Sequence, residues 1–400
     1  MEPLPRQRRR TTVDEEEPTT TTAIYDVPDD LLWQILLRLD SPLWLVRAAC
    51  ASKPLRRAII TGGRAFLRLA ASLHPPVVVG HYHECYVRPT EFVPLSPPPP
   101  IDGSRFSLDF LPRHVTNWEV ADCHGGLVLL HDYFGSLQGL IICDPLTRRY
   151  QGIPHPPEKR PGFSFSLLDG GGDGDGISIS NFRVLYRFQR APHICVFSST
   201  AGGCGEWRFL RQSADHGGDY IGHVAGRIDG SLCLGLATGN VKVLDNASLL
   251  PSEVDLPIRI DTSRSLHRSA FTVVHGAGRD PTSPAATWIV HVYGEELEFF
   301  RQVRGGEWVL EHSIPKLSEA ARGLLGCQER RLEWAVANVI AVGTGIAVLQ
   351  ARDRVGRMWV FSVDMDTKEL KVVPDEDYRR TRRTFTYTLP WRQFLRACPC

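Results

Sequence analysis

Two hydrophobic patterns divide the chain. From residue 23 to residue 72, apolar side chains recur at intervals of three and four residues, which predicts α-helices. In residues 31–39 the apolar positions cover about 240° of the helical circumference. A helix at the surface of a domain needs an apolar stripe only a little over about 100° wide. We therefore expect two sides of this helix to be covered, one by its own bundle and the other by a different element.

Polar residues, proline and glycine predict where these helices begin and end. Pro28 and the acidic Asp29 are typical of a helix start, because acidic side chains are favourable at the positive end of the helix dipole. Ser41 as N-cap and Pro42 at the first helical position predict the next start. Further breaks are predicted at residues 52–54, 62–63 and 74–76. The pattern predicts four short helices, a bundle small enough to depend on a neighbour.

After residue 76 the pattern changes to short apolar runs separated by Gly, Pro and Asp turns. Such runs are typical of β-strands, and their number favours an antiparallel all-β architecture. One short helix is expected at about residues 316–325.

Two faint repeats occur within this region. Gly-Glu-Trp is found at residues 205–207 and 306–308, about 100 residues apart. An Asp-x-x-(Thr/Ser) turn leading to a strand that ends in Pro occurs at residues 144–154, 245–257 and 364–374. Units of about 45–50 residues would give a closed ring of about six or seven propeller-like blades. We predict a multidomain chain: a disordered tail at 1–22, a small all-α bundle at 23–72 and an all-β propeller-like domain at 73–400.

Composition narrows the class of protein only slightly. The hydrophobic fraction of 42% excludes a wholly disordered chain, and the net charge of +1 gives no general attraction to nucleic acid or an anionic membrane. The basic N-terminus is not followed by an apolar segment, which argues against a secretory signal. We therefore expect a cytoplasmic or nuclear protein with free cysteines that binds no membrane and no nucleic acid.

Evidence for an enzyme is almost absent from the sequence. The catalytic motifs GxSxG and HExxH do not occur. His81, His83 and Cys85 would share one face of a strand, but no second ligand pair completes a zinc site at the usual spacing. The Gly-rich residues 169–176 and the basic residues 379–383 are interpreted as a loop and a solvated face. We expect no catalytic residue, no metal and no cofactor.

One segment resembles a known family. Residues 27–60, VPDDLLWQILLRLDSPLWLVRAACASKPLRRAII, resemble the F-box, which usually begins Leu-Pro-x-Asp-Leu-Leu and ends in Cys-x-Ser-Lys-x-Trp-Arg. Two departures are Val27 in place of the leading Leu and Leu55 in place of the Trp. The later segments DCHGGLVLL, CDPLTRRYQGIP and YTLPWRQFLRAC are similar to the C-terminal region of the large F-box families of grasses.

The resemblance implies a substrate receptor of a Skp-cullin-F-box ubiquitin ligase. The F-box would bind a Skp-type adaptor, and through it a cullin-RING ligase, while the β-domain would bind an unknown protein substrate. The residues that the resemblance assigns to adaptor binding are Pro28, Asp29, Leu31, Leu32, Ile35, Leu36, Leu39, Cys50, Lys53, Leu55 and Ile59. This partner would account for the second apolar side of the first helix.

Three alternatives remain open from the sequence. The β-domain could itself cover the second side of the first helix. An F-box protein could act as a scaffold or inhibitor outside any ligase. A propeller lectin or enzyme with an incidental helical cap would instead carry acids or metal ligands at its central channel.

Overall fold

The structure is a computed structural model. The residues that it describes are 27–74, 77–85, 89–94, 102–112, 118–132, 139–156, 163–170, 177–188, 194–199, 205–210, 221–228, 231–236, 241–246, 248–254, 256, 271–276, 286–293, 295–303, 306–325, 332–343, 346–353, 358–365, 367–373 and 381–397. The predicted tail at 1–22 lies outside them.

Three helices open the described chain, and they begin where the sequence predicts. They are α1 (Asp29–Leu37), α2 (Pro42–Ala51) and α3 (Lys53–Leu73). The Pro28 carbonyl accepts hydrogen bonds from the first turn of α1, and the Ser41 hydroxyl caps α2 by accepting from the Leu43 backbone N–H at 3.3 Å. Gly63 has non-helical angles (φ 51°, ψ −136°), so α3 consists of two helical segments. The predicted interruption at residues 62–63 is therefore confirmed.

Among the described residues, two further helices lie in the later part of the chain. The helix α4 (Leu317–Leu325) confirms the helix expected at about residues 316–325. The helix α5 (Trp391–Ala397) was not predicted. Its Trp391 and Leu395, one turn apart, are buried, and α5 contacts α2 and α3. The C-terminal segment thus packs against the N-terminal helices.

The remaining elements of the described residues are β-strands and one 3₁₀ turn at Gly103–Phe106. The strands are β1 (Val78–Cys85), β2 (Glu91–Pro94), β3 (Trp118–His124), β4 (Leu127–Asp132), β5 (Leu140–Asp144), β6 (Arg149–Ile153), β7 (Phe163–Asp169), β8 (Phe182–Phe188), β9 (Ile194–Ser198), β10 (Glu206–Leu210), β11 (Ile221–Ile228) and β12 (Ser231–Leu236). They continue as β13 (Val241–Leu244), β14 (Pro251–Glu253), β15 (Phe271–Gly276), β16 (Ala286–Tyr293), β17 (Glu296–Gln302), β18 (Trp308–Ile314), β19 (Leu332–Gly343), β20 (Ile346–Asp353), β21 (Met358–Asp364), β22 (Leu370–Val372) and β23 (Thr381–Thr388).

Within the described residues, the strands form six antiparallel sheets. Five are four-stranded meanders: the first sheet contains β3–β6, the second β7–β10, the third β11–β14, the fourth β15–β18 and the fifth β19–β22. The sixth sheet has the order β2-β1-β23, so it joins strands from both ends of the described chain. Antiparallel meanders of this kind are the repeating unit of a β-propeller.

Contacts between neighbouring sheets close the ring. The strand β3 contacts β7, and the strands β11, β15, β19 and β23 contact one another in that order. The strand β23 contacts β3, and Arg227 of β11 donates a hydrogen bond to the Leu167 carbonyl of β7 at 2.7 Å. The fold is therefore propeller-like, and its six sheets fall within the predicted six or seven blades.

The repeats in the sequence occupy equivalent places in this ring. The two Gly-Glu-Trp segments lead into β10 and β18, the outermost strands of the second and fourth sheets. The Asp turns connect the third and fourth strands of the first, third and fifth sheets. In each, the Asp side chain accepts a hydrogen bond from the backbone N–H three residues later, and the next residue is left-handed: Arg148 (φ 53°), Leu249 (φ 59°) and Lys368 (φ 60°).

One apolar core joins the helices to the ring of sheets. It includes Leu32, Leu36 and Ile59 of the helices together with Tyr82 of β1 and Tyr387 of β23. The Tyr387 hydroxyl donates to the Gly126 carbonyl at 2.9 Å, in the β3–β4 turn. Gly126 has φ 82°, and a Cβ there would meet the Pro390 ring at 2.2 Å. The turn thus supports the segment that leads into α5.

Candidate functional site

The helix α1 has both a buried and an exposed apolar side. Leu32 and Leu36 are 1% exposed, whereas Leu31 is 46% and Ile35 is 55% exposed. Leu31 and Ile35 are four residues apart and therefore lie on one face, one turn above the other. The core that α1 shares with the sheets covers one side of the helix and leaves this second apolar side in contact with solvent.

The start of α1 is held by its own backbone and by α3. Pro28 is exposed and Asp29 is half-buried. An Oδ1 of Asp29 accepts a hydrogen bond from Nη2 of Arg57 at 3.3 Å. One turn further along the same face, the Trp33 indole N–H donates to the Ala58 carbonyl of α3 at 2.7 Å. These contacts fix the rotation of α1 about its axis, and so the direction in which Leu31 and Ile35 face.

A third large and exposed apolar side chain lies on α2. Trp44 is 50% exposed, and the Arg47 guanidinium stacks over its ring at 4.7 Å from the centroid. The sequence reasoning did not assign Trp44 to the site. The sequence feature that could have identified Trp44 is its position: it is a large aromatic residue in the first turn of a short helix, directly after the predicted start at Pro42.

The remaining predicted adaptor-binding residues fall into three groups. Cys50 and Lys53 are exposed, and Leu39 and Leu55 are half-buried against the core. Leu32, Leu36 and Ile59 are fully buried in the core. In this structure these three side chains support the helices from inside and offer no surface to a partner. The exposed part of the predicted set consists of Pro28, Leu31, Ile35, Cys50 and Lys53.

A group of paired polar and charged side chains lies where the first three sheets meet. Arg227 Nη2 donates to Asp122 Oδ2 at 2.7 Å, and the Leu167 backbone N–H donates to the same oxygen at 2.7 Å. His124 Nε2 lies 2.8 Å from Asp169 Oδ1. Burial alone would raise the pKa of Asp169, but the hydrogen bond from His124 and the nearby guanidinium charges lower it overall. The carboxylate is therefore ionised and bonded, an arrangement that ties the inner strands together.

The histidines of β1 are deeply buried. His81 is 3% and His83 is 2% exposed, and their ring centroids are 6.4 Å apart. Burial, with a smaller contribution from the charge of His83, lowers the pKa of His81 to about 4. His81 is thus neutral at pH 7. The described residues contain no group of three or more His, Cys, Asp or Glu side chains that could hold a metal ion.

The other segments singled out in the sequence lie mainly outside the described residues. Residues 171–176 of the Gly-rich stretch and residues 379–380 of the basic cluster are in this group. Among the described helices, none is both long and apolar enough to cross a membrane.

Comparison with known proteins gives likenesses of structure only. No protein-family model matches the chain, and no curated protein sequence matches it. One similar solved structure is the six-bladed β-propeller lectin of Aleuria aurantia, which recognises fucose: identity is 13%, the match covers 64% of this chain and 77% of the lectin, and the TM-score is 0.37.

Two further solved structures are similar to the chain. The periplasmic gluconolactonase PpgL of Pseudomonas aeruginosa has 14% identity, a match over 75% of this chain and 82% of that one, and a TM-score of 0.38. YCF48 bound to D1 peptide has 12% identity, coverages of 66% and 69%, and a TM-score of 0.33. The propeller-like fold is accordingly assigned from the strand pairing described above.

Proposed function

We propose that the chain is a non-catalytic substrate-receptor subunit of a Skp-cullin-F-box ubiquitin ligase. The helices α1–α3 bind a Skp-type adaptor, and the ring of sheets binds a protein substrate. The proposal combines the F-box resemblance of residues 27–60 with the exposed apolar side of α1.

The exposure of Leu31 and Ile35 is the observation that carries the proposal. Both side chains are about half exposed, although Leu32 and Leu36 of the same helix pack into a core. Fully burying a Leu or Ile side chain contributes about 1.5–3 kcal/mol. A partner helix that covered these two half-exposed side chains, together with Trp44, would recover part of the association cost of about 4–15 kcal/mol. Pro28 and Lys53 would lie at the margin of this surface.

The direct test is binding of the full chain to a purified Skp-type adaptor. The double variant Leu31→Asp/Ile35→Asp should weaken binding by about a hundredfold, because roughly 3 kcal/mol of apolar burial is lost. Leu69→Asp/Leu73→Asp is the matched control, since these two leucines are also four residues apart and each is 50% exposed on α3. The control should bind as the unmodified chain does, and circular dichroism should show that both variants remain folded.

Two results would contradict the proposal. One is unchanged adaptor binding by Leu31→Asp/Ile35→Asp, which would show that the surface is elsewhere. The other is failure of the unmodified chain to bind any Skp-type adaptor.

The role in a ligase is tested separately. Proteins captured by the chain in cells should increase in abundance when the proteasome is inhibited and when Leu31→Asp/Ile35→Asp replaces the unmodified chain. Adaptor binding without any such increase would indicate a scaffold rather than a ligase receptor.

A further inference from the structure

The second sheet contains a buried arginine that forms no ion pair with any of the described residues. Arg187 of β8 is 4% exposed, and its Nε has no hydrogen-bond partner. Burial lowers the pKa of Arg187 to about 10, and no neighbouring acid raises it. The guanidinium is therefore still charged at pH 7. Within the described part of the chain, no carboxylate forms an ion pair with it.

The neighbours of Arg187 are apolar or uncharged. In the strand register it lies opposite Ser164 of β7 and Ile194 of β9. Ile194 and Leu185, two residues before Arg187 on the same face, belong to the core between the second and third sheets. Arg187 thus extends a face that packs against the third sheet.

Arg183 on the same strand forms the hydrogen bonds that Arg187 lacks. Arg183, four residues earlier on the same face, donates from Nε to the Asp169 carbonyl at 2.7 Å and from Nη2 to Asn246 Oδ1 at 3.1 Å. This contact joins one end of β8 to the end of β13. Arg187 therefore lies toward the opposite end of the interface, as does Lys242 of β13, which is also buried.

Lys242 has Glu253 of β14 opposite it in the strand register, whereas Arg187 has no carboxylate opposite it in β7 or β9. Burying a charged group without a compensating charge or hydrogen bond is strongly unfavourable, and arginine does not escape the cost by losing its proton. The planar guanidinium fork matches the oxygen atoms of a carboxylate or phosphate group. Because Arg187 is only 4% exposed, it offers little surface for a ligand to contact.

We propose that Arg187 binds a small oxyanion, a phosphate or a carboxylate, between the second and third sheets. The anion supplies the missing counter-charge and links two neighbouring blades. This site is independent of adaptor binding, which involves the helices at the N-terminus.

Equilibrium dialysis of the full chain tests the proposal. The protein is exchanged into chloride buffer, and labelled inorganic phosphate and labelled acetate are the two probes. We expect the unmodified chain to bind one phosphate or one acetate, and the stronger probe identifies the class of anion. Arg187→Met should abolish binding. Arg208→Met, at an exposed arginine of β10 in the same sheet, should bind as the unmodified chain does.

Arg187→Lys provides a second variant should Arg187→Met fail to fold. It keeps one positive charge but loses the two-pronged geometry, so we expect about tenfold weaker binding. Thermal unfolding gives an independent measurement: at constant ionic strength the bound anion should raise the unfolding midpoint of the unmodified chain more than that of Arg187→Lys. Absence of binding by the unmodified chain, or equal binding by the Arg187 variants, would overturn the proposal.

Discussion

The helical region and the ring of sheets differ in which side chains they bury. On α1 and α2, Leu31, Ile35 and Trp44 are about half exposed. In the sheets the reverse is found, because the charged Arg187 and the imidazole of His81 are almost completely buried. An exposed group of large apolar side chains is typical of a protein-binding surface, whereas buried polar groups are unfavourable unless something pairs with them.

This contrast separates two kinds of interaction. The exposed apolar side chains of the helices lower the stability of the isolated chain only a little. They stabilise a complex when a partner covers them. The buried polar side chains of the sheets lower stability unless they are satisfied within the ring. Mutations should therefore affect binding in the first region and folding in the second, except where a helical side chain lies in the shared core.

The largest difference in the free energy of unfolding should be between substitutions on the buried side and on the exposed side of α1. Leu36→Asp places a carboxylate in the core and should lower the free energy of unfolding by more than about 4 kcal/mol. Leu31→Asp changes an exposed position and should alter it by less than about 0.5 kcal/mol. Urea unfolding followed by tryptophan fluorescence measures both. Equal losses for the two variants would show that Leu31 is also part of the core.

A smaller loss of stability is expected when the pH is lowered, and it should come from His81 in the sheets. The pKa of His81 is about 4 in the folded chain and about 6.5 in the unfolded chain. Between these values only the unfolded chain binds the proton, so stability is complete above pH 6.5 and decreases as the pH falls. By pH 5 the loss should reach about 2 kcal/mol.

The variant His81→Gln cannot take up this proton, so its loss of stability between pH 7 and pH 5 should be smaller by that amount. His312→Gln is the control, because His312 lies half-buried on the outermost strand β18. Urea unfolding at several pH values measures the slope. A slope that His81→Gln leaves unchanged would contradict the assignment to His81.

The smallest effect concerns the repeated Asp turns. Asp144 accepts hydrogen bonds from the Leu146 and Thr147 backbone N–H groups at 3.1 and 3.3 Å and from the Thr147 hydroxyl at 2.8 Å. Asp144→Ala should cost about 1 kcal/mol, and Asp144→Asn less, because its amide oxygen still accepts. The equivalent Asp364→Ala should behave similarly. Thermal unfolding measures the changes, and no loss in either alanine variant would contradict a stabilising role.

Local features of the fold could be predicted from the sequence. The starts of α1 and α2 follow from Pro28, Ser41 and Pro42, whose effects act within one helical turn. The Asp turns and the Gly-Glu-Trp segments predicted the repeat because the first, third and fifth sheets share one short connection and the second and fourth sheets share the other. These signals depend on neighbouring residues and require no knowledge of distant contacts.

Long-range features could not be predicted. Asp122 and Arg227 are paired although 105 residues separate them, and neither position differs locally from other charged residues. The helix α5 is short, and its Trp391 and Leu395 are buried only because the N-terminal helices lie beside it. The apolar positions of residues 31–39 predicted two apolar sides of α1, but they could not show that Leu32 and Leu36 would be the buried pair or that the other side would be exposed.

The pairing of β23 with β1 has a consequence for synthesis on the ribosome. Because β23 completes the sixth sheet and α5 follows it, the ring closes and the N-terminal helices gain this support only after residues 381–397 have emerged. Until then β1 has an unpaired edge, which is a site for aggregation or chaperone binding. A premature stop codon anywhere before β23 would therefore disturb the two ends of the molecule together.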